Sequence, residues 1–70
     1  MAETIVITER QMALALKGAQ LCRQYWQEEG DADMVADADA RINRLNSIGS
    51  TPITMDQYTA DVLGAIDWLP

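Results

Sequence analysis

Between Thr8 and Gly30 nothing in the sequence stops a helix, and that stretch decides most of what the chain can become. Thr8 stands where an N-cap belongs, Gln11 follows three residues on to complete a capping box, and Ile7 before the cap can staple onto Met12. Gly30 suits the left-handed position just past a helix end. The spacing predicts helix 1 over residues 9–29, weakened in its interior only at Gly18.

At 100° per residue the apolar residues of helix 1 form one arc of about 220°. It runs from Leu14, Leu21 and Tyr25 at one edge, through Gly18, Cys22, Ala15, Trp26 and Ala19, to Met12 and Leu16 at the other. A surface helix in a small domain shows a stripe of roughly 100–140°, so one neighbour cannot cover this arc. Helix 1 is expected to lie between two layers. Ala15, Gly18, Ala19 and Cys22 are small and sit mid-arc, where another helix, from this chain or a second subunit, can approach closely.

Helix 2 is expected over residues 32–47. Asp31 or Asp33 can cap its start, Arg41 and Arg44 suit its C-terminal half, and Asp37 with Arg41 has the i,i+4 spacing of an ion pair. Met34, Ala38, Ile42 and Leu45 form a narrow seam that one neighbour covers. The short turn at Gly30 makes helices 1 and 2 an antiparallel hairpin. After the linker Gly49 to Ile53, Thr54 and Gln57 repeat the capping box, Ile53 can staple onto Tyr58, and helix 3 is expected over residues 55–69. Residues 1–7 hold the β-branched run Thr4 to Ile7 and read as an extended arm. The expected fold is all-α: one domain over residues 1–70, a three-helix bundle with helix 3 packed across the hairpin and the short arm at its N-terminus.

So small a core is thin and usually needs a staple. Cys22 is the only cysteine, so no intramolecular disulfide forms, and the absence of histidine leaves a zinc site almost without ligands. Self-association is the remaining staple. The expected interface of a homo-oligomer comprises Leu14, Ala15, Gly18, Leu21, Cys22 and Tyr25.

Eleven carboxylates against five Lys and Arg give a net charge of −6. That sign opposes direct nucleic-acid binding and anionic lipid, because phosphate affinity comes from displaced counterions. With no apolar run long enough to span a bilayer and no signal-peptide pattern, the chain is expected to be cytoplasmic and off the membrane. No histidine is available as a general base, and Cys22 lies deep in the apolar arc, so the expectation is not an enzyme, with no catalytic residues and no cofactors. Six acidic residues fall between Glu28 and Asp39, but a calcium loop beginning at Asp31 needs glycine where Ala36 stands and glutamate where Ile42 stands. No metal site is expected.

Two functional readings remain. In the first, Glu28, Glu29, Asp33, Asp37 and Asp39 form an acidic face that docks a protein partner with a basic surface. Small acidic helical inhibitors among phage and mobile-element accessory proteins are an analogy of class that no motif here supports. In the second, Arg23, Lys17, Tyr25 and Trp26 gather around a small anionic ligand or nucleotide at an oligomer interface. No known family is identified by these motifs.

Overall fold

A computed structural model describes residues 3–70; the first two residues of the arm lie outside the described residues. The order is β1 (Thr4–Ile5), α1 (Glu9–Glu29), α2 (Ala32–Ile48), β2 (Ile53–Thr54), then α3 over residues 55–66. The architecture is the expected all-α one, with α1 and α2 packed as a hairpin and α3 laid across them.

Local chemistry sets the element ends. The Thr8 side chain accepts from the Gln11 N–H at 3.1 Å, and the Gln11 side chain accepts from the Thr8 N–H at 3.2 Å, the reciprocal pair of a full capping box. Gly30 closes α1 in the left-handed region at φ 76°. Asp31 caps α2, accepting from the Met34 N–H at 3.1 Å. At α3 only half of the expected box forms: Thr54 accepts from the Gln57 N–H, with no return bond from the Gln57 side chain. Thr54 is also a strand residue there, paired with Thr4.

The arm belongs to this chain's own fold. β1 pairs antiparallel with β2, Thr4 opposite Thr54 and Ile5 opposite Ile53, and the Met55 N–H donates to the Glu3 carbonyl. Helices α1 and α3 therefore leave the same clasp. The Gln11 Nε2 donates to the Tyr58 hydroxyl at 3.1 Å, and two turns further along both helices Gly18 meets Ala65, so α1 and α3 run parallel.

The core lies where the three helices and the clasp meet. Ala15, Ala19, Leu45, Val62 and Ala65 are fully buried, with Ile7, Ile48 and Ile53 closing the clasp end. Burying Leu45 and Val62 contributes roughly 1.5–3 kcal/mol each. The wide arc of α1 is covered by two neighbours as expected, α2 on one side and α3 on the other.

Helix α3 departs from expectation in two ways. It is α-helical over Met55–Gln57 and Gly64–Ile66 but π-helical over Tyr58–Leu63, where the Gly64 N–H donates to the Thr59 carbonyl. Along this helix Val62 and Ala65 are fully buried, Ala65 lying against Gly18 of α1, while Leu63 is left exposed. The helix also stops at Ile66, and a turn carries Trp68, whose N–H donates to the Ala65 carbonyl.

Candidate functional site

Gly18 determines what happens to the residues expected at an oligomer interface. A Cβ built on it would stand 1.9 Å from the Ala65 carbonyl oxygen, so α3 lies directly on the glycine backbone. Ala15, Gly18 and Cys22 are buried by the chain's own helices, and of the expected interface only Leu14, Leu21 and Tyr25 keep exposed surface. The close approach that small residues allow is used within one chain.

The acidic residues divide. Glu28, Glu29, Asp33 and Asp37 are exposed. Asp39 instead takes the Arg23 Nε–H at 2.6 Å across the α1–α2 contact, and Arg23 also donates to the Gln27 side chain at 3.1 Å. Arg23 is therefore paired with α2, in a bridge that stays partly exposed. Lys17 is exposed and lies about 120° around α1 from Arg23, so the two cations do not converge.

The expected Asp37 to Arg41 ion pair does not form among the described residues. Both α2 arginines turn to α3. Arg44 grips Asp61 with two bonds, Nε to Oδ2 and Nη2 to Oδ1, each 2.9 Å, and the Asp61 side chain is only 7% exposed. Arg41 reaches from α2 to Gly64 of α3, where its guanidinium lies at ordinary contact distance from the position of a Cβ. The hydrogen bonds that Arg44 donates to Asp61, with the field of Asp61 and Asp37, hold its guanidinium above the ordinary arginine value, against an opposing lowering by desolvation.

These arginines border a cleft of about 380 Å³ between α1, α2 and the turn after α3. Trp26 and Trp68 line it with Cys22 and Met34, and Asp37 stands beside Arg41 and Arg44. Tyr25 braces the indoles, edge-on to Trp26 at 4.8 Å and tilted against Trp68 at 5.4 Å. Two buried N–H groups in this lining meet no acceptor, Trp26 Nε1 and Arg41 Nε. Of this set, the sequence reading singled out Trp26 and Tyr25 as ligand residues. Asp61 carried a faint signal, an acidic residue four positions before Ala65 and so beside the edge of the apolar stripe, where burial calls for a cation from a neighbouring element.

Among the described residues no cluster of three or more Cys, Asp or Glu side chains is placed to hold a metal ion, and no helix is long and apolar enough to cross a membrane. Family models, curated proteins and solved structures yield no match to the chain.

Proposed function

We propose that this chain is a non-catalytic binding protein that meets a protein with a basic surface through the acidic end of its α1–α2 hairpin. One asymmetry supports the reading. Arg23 and Arg44 are each locked onto a carboxylate, whereas Glu28, Glu29 and Asp33 are exposed with no cation in ion-pair range among the described residues. The field at that end is therefore negative and unscreened by the chain's own side chains, which favours rapid, salt-sensitive association with a Lys- and Arg-rich face. Nucleic-acid-binding surfaces have that character, and occupying one in the cytoplasm would make the chain an inhibitor of the kind that phage and mobile elements carry. Self-association, where it occurs, would use the Leu14, Leu21 and Tyr25 flank beside α3.

The test titrates a labelled decaarginine peptide by fluorescence anisotropy, at about 50 and about 300 mM salt, where the screening length differs more than twofold. Two triple variants of equal net charge are compared: Glu28→Gln with Glu29→Gln and Asp33→Asn at the hairpin end, and Glu3→Gln with Glu9→Gln and Asp56→Asn away from it. Loss of binding confined to the hairpin variant supports a localised acidic site. Equal weakening in both reduces the effect to bulk charge and overturns the proposal. Light scattering after size exclusion, with Leu14→Ser and Tyr25→Ser as variants, tests the self-association flank.

A further inference from the structure

We propose that the cleft between α1, α2 and the turn after α3 binds a small aromatic carboxylate, independently of the acidic hairpin end. Its volume of about 380 Å³ is enough for a one- or two-ring ligand. Trp26 and Trp68 provide flat apolar surface, and Tyr25, in contact with both, fixes their orientation. Planar rings stack favourably on such surfaces.

The polar groups select the charge. The orphaned groups in the lining, Trp26 Nε1 and Arg41 Nε, are both donors, so the missing partner is an acceptor, which a carboxylate supplies and an ammonium does not. A buried N–H without a partner is destabilising, and a correctly placed oxygen relieves that cost. Arg41 has no carboxylate within ion-pair range among the described residues, and Arg44 uses Nε and Nη2 on Asp61, leaving Nη1 available. Asp37 beside them limits the charge the site accepts. Arg44 is already paired with Asp61 and Asp37 stands beside Arg41, so the site has too little positive charge for the two charges of a phosphate monoester, and recognition of a carboxylate rests on the free donors of Arg41 and Arg44.

Both orphaned nitrogens belong to lining residues but are themselves buried, so a ligand oxygen reaches them only with some movement of the wall. Of the residues lining the cleft, Trp68 alone lies outside a helix. It lies in a turn, held by its N–H bond to Ala65 and its contact with Tyr25.

The experiment follows the indole N–H resonances of Trp26 and Trp68 in the ¹⁵N-labelled chain during titration with indole-3-acetate, with the neutral indole-3-acetamide and the cationic tryptamine as comparisons. Saturable shifts of both indoles by the carboxylate are expected, with at least about tenfold weaker binding of the amide, because charge-assisted bonds to guanidinium are roughly twice as strong as neutral ones. Arg41→Gln should weaken the carboxylate at least about tenfold, while Arg23→Gln, outside the cleft, leaves it unchanged. The proposal is overturned by no saturable shift up to about 10 mM. Equal binding of carboxylate and amide, or full binding by a folded Arg41→Gln, would also overturn it. If Arg41→Gln loses its helical circular dichroism, the carboxylate-to-amide ratio in the unaltered chain decides.

Discussion

Replacing Gly18 with alanine sets two opposing effects against each other. In an exposed helix interior the change stabilises by about 1 kcal/mol, because alanine restricts the unfolded chain and suits the helix. Here the new methyl would meet the Ala65 carbonyl oxygen at 1.9 Å and its carbon at 2.7 Å, where real Cβ contacts do not fall below 3.0 Å. The obstacle is backbone, so no side chain can rotate away, and α3 must retreat by about 1 Å along its contact with α1. Overpacking of this kind costs about 1–3 kcal/mol or more. That retreat also loosens Val62 and Ala65, both fully buried, so the upper part of the range applies. After subtracting the propensity gain, the net loss is about 2 kcal/mol, against a total stability of about 4–10 kcal/mol for a domain of this size. Thermal unfolding followed by far-ultraviolet circular dichroism should show a fall in Tm of about 8–16 °C. Gln20→Ala on the exposed side of the same helix should change Tm little. A Gly18→Ala protein that melts at or above the parent temperature would refute the assignment of α3 to that position.

The Arg44 and Asp61 pair is asymmetric, since Arg44 is half exposed and Asp61 is not: Arg44→Met strands a buried carboxylate and should cost about 2–3 kcal/mol, against about 1 kcal/mol for Asp61→Asn, both read from urea midpoints. Because Asp61 raises the Arg44 pKa in the folded state, the arginine's contribution is complete below the ordinary arginine value and is lost only as pH rises past the folded one, so the stability gap between parent and Arg44→Met should not narrow between pH 7 and pH 10. Gln11→Leu removes both the return bond of the capping box and the link to Tyr58, and should cost about 1–2 kcal/mol in the same assay. Arg23→Gln, by contrast, breaks a pair whose side chains are 38% and 49% exposed, so its effect should stay within about 1 kcal/mol and shrink in high salt.

Features set by a few neighbouring residues were legible in the sequence. The caps at Thr8 and Asp31, the stop at Gly30 and the hairpin follow from hydrogen bonds that span three or four positions. The breadth of the α1 arc correctly required two neighbours, but periodicity does not say whose helices they are, and the small residues fitted a second subunit as well as they fitted α3. The π-helical turn left no trace, since bonds from i to i+5 use the same residue types as those from i to i+4. At the cleft, Trp26 and its neighbour Tyr25 were singled out as ligand candidates, but the other residues that line it were not. Arg23 lies near Trp26 in sequence, yet Arg41, Arg44 and Trp68 reach the cleft only through the packing of α2 and the turn after α3. Asp61 and Arg44 stand seventeen residues apart on different helices, a separation over which no local rule operates.

The parallel course of α1 and α3 dictates an order of assembly. Parallel neighbours cannot be joined by a short turn, so α2 has to run the length of the molecule between them. The α1–α2 hairpin closes over a few residues, whereas the link from Gln11 to Tyr58 closes a loop of forty-seven, at a greater cost in chain entropy. The hairpin is therefore the early unit, and α3 docks together with β2 afterwards. Until Ala65 arrives, the groove at Gly18 is open to solvent and to any other helix in reach. A fold completed by its third helix is thus most prone to exchange segments with a second copy while it is still forming.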